Sequence, residues 1–157
     1  MIGVLFLCTG NICRSPMAHG IFNHLVREAN LQDRLFADSA GIDRYEAGRP
    51  THDGAVNVLK KHGIIFSKRA RLLTDQDGAN FQYLIGMAQE HIRALERVRL
   101  LANNPSARVA LLLDYAPQLG VREVPDPYYN GNFEECYMLV NAGVRGLLDA
   151  IRREHGL

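Results

Sequence analysis

Short apolar runs alternate along the 157-residue chain with stretches in which apolar residues recur every three or four positions. The runs have strand length and lie at residues 2–7, 35–39, 81–87 and 109–113. The stretches have helical spacing and lie at residues 17–26, 53–61, 92–101 and 133–153. Gly41 is expected to break the second strand. Strands that alternate with helices predict an α/β fold, with a parallel sheet covered by helices on both faces.

Composition narrows the class of protein without identifying it. The length suits a single domain spanning residues 1–157, and 47% hydrophobic with 22% charged residues is typical of a globular protein. A net charge of +1 gives no electrostatic basis for binding nucleic acid. No apolar run approaches the roughly 20 residues of a membrane-spanning helix, so we expect no membrane insertion. The apolar start lacks the charged region of a signal peptide. Three cysteines, an odd number, fit a reducing compartment and predict a cytoplasmic location.

The segment between the first strand and the first helix carries the main chemical signal. It runs from Cys8 to Ser15 and is followed by Pro16, which suits a first helical turn. Gly10 and Asn11 tolerate positive φ, which a loop curled around an anion requires. Such a loop points successive backbone N–H groups inward, and the following helix adds its positive end. The pattern therefore predicts an anion-binding loop at the carboxyl end of a strand.

Two side chains of this loop predict phosphoryl-transfer chemistry. The electropositive surroundings favour the thiolate of Cys8, which Ser15 could stabilise by a hydrogen bond. Arg14 offers a planar fork for two phosphate oxygens, so a phosphocysteine could form with no metal or cofactor. The spacing of the cysteines also supplies no four-ligand zinc site. An alternative stays open, in which Cys8 is a small buried residue and Arg14 a solvated one.

A general acid is predicted more than a hundred residues further along the chain. Asp126 lies between Pro125 and Pro127, which stiffen the backbone and could hold a carboxyl group over a pocket. Taken alone, the same segment is more typical of an Asx turn before the last helix.

Several motifs together resemble the low-molecular-weight protein tyrosine phosphatases. They are the apolar strand 4–7 with residues 8–18, followed by 38–41, 48–50, 69–72 and 125–129. The resemblance covers nearly the whole chain. It implies a four-stranded parallel sheet in the order 2-1-3-4 with helices on both faces.

The resemblance also implies roles for individual residues. Cys8 is then the nucleophile, Arg14 the phosphate clamp and Asp126 the general acid and later the base. The other residues implied to bind phosphate or substrate are Thr9, Gly10, Asn11, Ile12, Cys13, Ser15, Tyr45, Tyr128 and Tyr129. Asn11, Ser15 and Ser39 are implied to hold the loop in shape, and Cys13 to form a reversible disulfide with Cys8. Another interpretation of Cys13 is that it packs below the loop.

The tyrosines carry a physical argument of their own. A phosphotyrosine ring has to reach a deep anion site, so apolar walls select it over the short phosphoserine side chain. Tyrosine-phosphorylated proteins are therefore the expected partners, and by family analogy one of them is a bacterial tyrosine kinase. The chain is expected to be a monomer or a weak dimer.

The chain departs from the family pattern at four positions. His19 stands where the family usually has Glu, Gln82 replaces an Asp, and Ala88 and His91 replace the Asp and Asn of a Met-Asp-x-x-Asn motif. These changes spare the catalytic trio but bear on the surroundings of the loop. His19 in particular could titrate near neutral pH, or could be an ordinary solvated histidine.

Three alternative functions share the fold or the loop. An arsenate reductase would need further cysteines, and none lies between Cys13 and Cys136. A protein-arginine phosphatase carries Thr where Ile12 stands and lacks the pair Tyr128 and Tyr129. A phosphopeptide-binding module without activity would not need the full set of Cys8, Arg14 and Asp126.

Overall fold

The computed structural model describes residues 1–157 and contains one four-stranded sheet. The strands are β1 (Ile2–Cys8), β2 (Leu35–Gly41), β3 (Tyr83–Gly86) and β4 (Arg108–Leu111). They pair in parallel in the order β2-β1-β3-β4. The helices are α1 (Arg14–Glu28), α2 (Asp53–Lys61), α3 (Asp77–Asn80), α4 (Gln89–Leu101), α5 (Pro127–Asn130) and α6 (Phe133–His155). The predicted fold class and strand order are confirmed.

Both faces of the sheet are buried, which explains why its strands are continuous apolar runs. Alternate residues of β1 point to opposite faces. Val4 and Phe6 belong to the larger core cluster, which also contains the buried faces of α1, α2 and α6. Leu5 and Leu7 belong to a smaller cluster with Leu95 of α4. The sheet is thus the middle of three layers.

The ends of several elements differ from those predicted. The fourth strand stops at Leu111, and a 3-10 helix follows at Leu112–Tyr115. Helix α1 begins at Arg14, two residues before Pro16. The short helices α3 and α5 have four residues each, too few for a periodic apolar pattern to reveal them. No helix in the structure is both long enough and apolar enough to cross a membrane.

Gly41 was predicted to break β2. It is instead the last residue of this strand and pairs with Cys8. Its N–H donates to the Arg71 carbonyl at 2.9 Å, and its own carbonyl accepts from the Leu73 N–H at 2.8 Å. A Cβ atom at this position would lie 2.8–3.0 Å from backbone atoms of Thr9, Gly10 and Asn11. The glycine is therefore required for the close approach of β2 to the loop after β1.

The chain brings a distant segment to the same edge of the sheet. The Met87 N–H, just after β3, donates to the Leu7 carbonyl at 3.2 Å, and the Val124 N–H donates to the Met87 carbonyl at 3.0 Å. Residues just beyond Val124 are thereby held beside the carboxyl end of β1. This is the edge at which ligands bind in open parallel sheets.

We expect Gly41→Ala to lower the free energy of unfolding by about 1–3 kcal/mol and kcat/KM for an aryl phosphate by roughly 10-fold or more. The added methyl group meets backbone atoms of the loop, which have to move. Chemical denaturation and steady-state kinetics measure the two effects.

Gly3→Ala is the matched control, because its methyl group would meet the Phe36 ring, 2.5 Å from Cζ, at the opposite end of β1. It should cost stability and leave kcat/KM unchanged. Full activity in Gly41→Ala would contradict the role assigned to the glycine.

Candidate active site

The loop between β1 and α1 is curled, and Asn11 makes the curl. Asn11 has φ of 56°, in the left-handed region, whereas Gly10, which also tolerates positive φ, does not use it. A Cβ atom on Gly10 would lie 3.0 Å from Cγ of Glu46, so this glycine serves close packing instead. Asparagine is one of the few residues with a side chain that adopts this conformation at low cost.

The Asn11 side chain is fully buried and all of its hydrogen bonds stay within the loop and its support. Its Nδ2 donates to Ser15 Oγ at 2.8 Å and to Ser39 Oγ at 3.1 Å. Its Oδ1 accepts from the Arg71 N–H at 3.1 Å. The three predicted loop-supporting residues, Asn11, Ser15 and Ser39, are therefore in one connected network.

Cys8 lies at the base of the loop and is 2% exposed. The Asn11 N–H donates to its Sγ at 3.3 Å, and Ser15 Oγ lies 3.0 Å from the sulfur. Ser15 Oγ accepts a hydrogen bond from Asn11 Nδ2, so its own hydroxyl can donate, either to the sulfur or to the Ala40 carbonyl at 3.4 Å. The Cys8 sulfur therefore lies where it can accept two hydrogen bonds.

Cys13 has different surroundings. It is buried, is a free thiol like Cys8 and Cys136, and packs with Ile12 and Ala70. Burial raises the pKa of the Cys13 thiol, and the nearby Cys8 and Asp126 raise it further. Cys13 is therefore protonated near neutral pH and is not a competing nucleophile. The reversible disulfide with Cys8 stays a prediction.

Arg14, the first residue of α1, is 3% exposed and lines, together with Cys8, a cavity above the loop. Nη1 donates to the Val124 carbonyl at 3.0 Å. Nη2 donates to Thr9 Oγ1 at 3.4 Å and to Asp126 Oδ2 at 3.3 Å. Nε is buried and has no partner. An unpartnered buried donor is costly, and the edge formed by Nε and Nη2 matches two oxygens of a bound oxyanion.

Asp126 faces Arg14 from the segment before the last helix. Its Oδ1 accepts from the Tyr128 N–H at 3.1 Å, which makes it the N-cap of α5, while Oδ2 points to Arg14. The Asx turn and the functional interpretation are therefore compatible, since each uses a different oxygen. The side chain is 24% exposed, so it borders both the cavity and solvent.

The cavity above the loop is small, with a volume of about 30 Å³. Its floor contains Cys8 and Arg14 with the predicted residues Thr9, Gly10, Ile12 and Cys13. The side chains of Asn11 and Ser15 are buried beneath this floor. Asp126, Tyr128 and Tyr129 form one wall, and the two tyrosine rings meet edge to face at 5.2 Å.

The opposite wall differs from the prediction. Asp43 and Glu46 line the cavity there, whereas Tyr45 between them is 88% exposed and does not. Asp43 Oδ1 accepts from the Tyr45 N–H at 2.9 Å and caps a short 3-10 helix at Arg44–Glu46. Both carboxylates flank Tyr45 in the sequence, but nothing in their spacing marked them as wall residues.

Beneath the loop lie Lys68, which no sequence pattern indicated, and His19, whose surroundings differ from both predictions made for it. Lys68 Nζ donates to the Ser39 carbonyl at 2.6 Å and to Ser39 Oγ at 3.2 Å. His19 Nδ1 lies 3.1 Å from the same Oγ, and its ring packs on Phe66 at 4.7 Å. His19 is thus neither solvated nor titrating near neutral pH. Burial lowers its pKa to about 4, helped by the charges of Lys68 and Arg71 and opposed by Asp38.

The other departures from the family pattern have defined places. Gln82 Oε1 accepts from the Gly3 N–H at 2.6 Å, at the amino end of the sheet and away from the cavity. Ala88 is the N-cap residue of α4 and has no side-chain acceptor. His91, in the first turn of α4, is fully buried and reaches Thr9 of the loop at 3.0 Å.

Comparison with known proteins assigns this fold and site to a family. The family model for the low molecular weight phosphotyrosine protein phosphatases matches residues 3–156. The chain therefore belongs to that family, whose members are phosphoric monoester hydrolases acting on proteins.

Individual relatives are similar over most or all of their length. A low molecular weight protein-tyrosine-phosphatase of Bacillus subtilis, YfkJ, is 42% identical over 158 residues, all of both chains. Its crystal structure superposes with a TM-score of 0.89, at 40% identity over 98% of this chain and 96% of the other. A structure named Drosophila arginine phosphatase gives a TM-score of 0.88 at 31% identity, covering 97% of this chain and 98% of that one.

We expect the free energy of unfolding to fall more steeply with decreasing pH in the wild-type protein than in the His19→Gln variant. His19 is held neutral in the fold, whereas the unfolded chain binds its proton near the ordinary pKa of 6.5. Between pH 6.5 and about 4, unfolding therefore takes up a proton. The part of the free energy of unfolding that depends on a neutral His19 is fully present above pH 6.5 and is lost as the pH falls toward 4. The full contribution is about 3 kcal/mol.

Urea denaturation at several pH values between 7 and 4 measures the difference. The two slopes should differ by about 1.4 kcal/mol per pH unit within this window, since other titrating groups are common to both proteins. Parallel curves would show that His19 is free to protonate in the folded state.

Proposed function

We propose that the chain, acting through residues 1–157 as a single domain, hydrolyses phosphotyrosine in proteins and simple aryl phosphates through a phosphocysteine on Cys8. The observation that carries this proposal is the arrangement of Cys8, Arg14 and Asp126 around one cavity. A sulfur within hydrogen-bond distance of the Asn11 N–H and of Ser15 Oγ lies at its base, and an unpartnered guanidinium Nε and a carboxyl group line it as well.

The first step transfers the phosphoryl group to sulfur. The Cys8 thiolate attacks phosphorus in line, so that the S–P bond forms as the bond to the phenolic oxygen breaks. Nε and Nη2 of Arg14 bind two equatorial oxygens, and the loop N–H groups bind the charge that remains. Asp126, in its protonated form, gives its proton to the leaving phenolate oxygen.

The second step reverses the role of Asp126. Its carboxylate accepts a proton from a water molecule, whose oxygen attacks the phosphocysteine. The S–P bond breaks, inorganic phosphate forms, and the thiolate and the protonated carboxyl group are restored. The ion pair between Asp126 and Arg14 at 3.3 Å supports a site that exchanges this contact for phosphate when substrate binds.

The walls support phosphotyrosine as the substrate. Tyr128 and Tyr129 stand beside Asp126 and offer aromatic surface to a phenyl ring that enters over the loop. We include Tyr45 as a further wall residue, which would have to turn inward from its exposed position. Tyrosine-phosphorylated proteins are then the partners, among them an autophosphorylated bacterial kinase, and the enzyme acts as a monomer or weak dimer. A cytoplasmic location is supported by three free thiols.

Protein-arginine phosphatase activity is the second candidate, favoured by the structural likeness to the Drosophila protein of that name. Against it stands Ile12, which lines the cavity where the arginine phosphatases of this fold carry Thr. An isoleucine offers no hydroxyl to a guanidinium-bound phosphate. The tyrosine pair beside Asp126 also favours an aromatic substrate.

We expect the purified protein to hydrolyse a phosphotyrosine peptide at least about 10-fold faster, in kcat/KM, than the matching phosphoarginine peptide. Cys8→Ser should be inactive on both, whereas Cys136→Ser, which removes a thiol buried in the core, should keep its activity. Equal rates on the two peptides would contradict the assignment to tyrosine. Activity that survives Cys8→Ser would rule out the phosphocysteine.

Replacing the proposed acid should affect turnover according to the leaving group. Asp126→Asn keeps an acceptor for the Tyr128 N–H and cannot give a proton. We expect kcat/KM, which reports the steps up to formation of the phosphocysteine, to fall roughly 10²–10⁴-fold with phenyl phosphate and far less with p-nitrophenyl phosphate, whose leaving group needs no proton. Steady-state kinetics with both substrates give the comparison, and a rise in KM alone would argue against the acid role.

A further inference from the structure

His91 occupies a position that the proposed mechanism does not use. It lies in the first turn of α4, is fully buried, and stands where the family pattern has Asn. Two contacts define its ring. The Ala88 N–H donates to Nδ1 at 3.0 Å, and Nε2 lies 3.0 Å from Thr9 Oγ1.

These contacts fix the tautomer of the imidazole. Because Nδ1 accepts a hydrogen bond from a backbone N–H, the ring proton of neutral His91 is on Nε2. Nε2 therefore donates to Thr9 Oγ1. Burial, together with the charge of Arg14, lowers the pKa of His91 to about 3, so the ring stays neutral and the donor persists across the working pH range.

The Thr9 hydroxyl then has no hydrogen-bonding capacity left over. A hydroxyl has one proton and two acceptor positions. It donates to Glu90 Oε1 at 3.4 Å, and it accepts from His91 Nε2 at 3.0 Å and from Arg14 Nη2 at 3.4 Å. One of the two Nη2 protons is thereby directed to Thr9, which leaves the other for Asp126 or a phosphate oxygen.

Arg14 is consequently held from two sides by the segment that follows β3. Nη1 donates to the carbonyl of Val124, and the N–H of the same residue donates to the Met87 carbonyl. Nη2 is held through Thr9 by His91. Nε and the second Nη2 proton remain to face the cavity.

We propose that His91 is a positioning residue for the phosphate clamp, and that it orients the Arg14 guanidinium through the Thr9 hydroxyl. This inference builds on the proposed function, since it concerns the group that binds the substrate phosphate. It assigns a role to a departure from the family pattern and to the side chain of Thr9, and it gives His91 no contact with the substrate and no part in proton transfer.

His91 also stabilises α4 by accepting the Ala88 N–H, because Ala88 has no side-chain acceptor of its own. Two substitutions separate this capping contact from the proposed role. His91→Asn places an acceptor near the Nδ1 position and does not reach Thr9. His91→Gln places an N–H donor near the Nε2 position and loses the acceptor close to Ala88.

Binding of inorganic phosphate, measured by calorimetry, and kcat/KM with p-nitrophenyl phosphate test the proposal. We expect His91→Asn to weaken phosphate binding and to lower kcat/KM, each by roughly 10-fold, with thermal stability close to wild type. His91→Gln should stay within about threefold of wild type in both measurements even where its melting temperature falls. The pH profile of kcat/KM should keep its shape in both variants.

A double-mutant cycle with Thr9→Val shows whether His91 acts through the hydroxyl. The double variant His91→Asn/Thr9→Val should be no worse than Thr9→Val alone. Effects that multiply would overturn the proposal, as would wild-type phosphate affinity in His91→Asn or a folded His91→Gln as impaired as His91→Asn. Loss of one limb of the pH profile would instead show that His91 titrates, which also contradicts it.

Phosphate binding separates this inference from the proposed function. A wild-type protein that binds phosphate but hydrolyses no aryl phosphate would contradict the function, while the ratio of the phosphate affinities would still test His91.

Discussion

The left-handed backbone of Asn11 is the constraint on which the site depends. It turns the chain back on itself between β1 and α1, so that the Asn11 N–H points to the Cys8 sulfur at 3.3 Å. The same residue's amide then fastens the turn to Ser15, Ser39 and the Arg71 backbone. No other single residue both permits the turn and anchors it from below. The Cys8 sulfur and the start of α1 lie on either side of this turn.

The buried donors around this turn either bind an acceptor of the protein or face the cavity. Two Arg14 nitrogens are engaged by Val124, Thr9 and Asp126, and the third is left for a ligand. Beneath the loop, Ser39 collects contacts from Lys68, His19 and Asn11. Because Lys68 and Asn11 both donate to Ser39 Oγ, its hydroxyl proton is available to His19, which has to stay neutral to accept it. A neutral histidine thus stands at position 19, where the family pattern has an acidic residue, and Lys68 is a second contact of the same Ser39 hydroxyl.

The sequence was informative where a local pattern has one physical cause. Strands buried on both faces leave continuous apolar runs, and a strand that runs into a Gly-Asn turn and then a helix predicts an anion-binding loop, so the sheet and the Cys8–Ser15 segment could be predicted. Gly41 could not, because a glycine that ends a strand and one that allows close packing look alike in a sequence. Thr9 and His91 are 82 residues apart, and Lys68 and Ser39 are 29 apart, so no spacing rule connects them. The exposure of the Tyr45 ring could not be predicted either, because a tyrosine in a polar segment does not reveal which way its ring points.

Rapid-quench mass spectrometry would show whether the phosphoryl group passes through the sulfur of Cys8. Enzyme mixed with excess phosphotyrosine peptide is quenched in acid within the first turnover and digested. We expect one phosphoryl group on the peptide that contains Cys8, present during turnover and absent once substrate is consumed. A phosphoryl group on Cys13, on Asp126 or on no residue while phosphate is being released would contradict it.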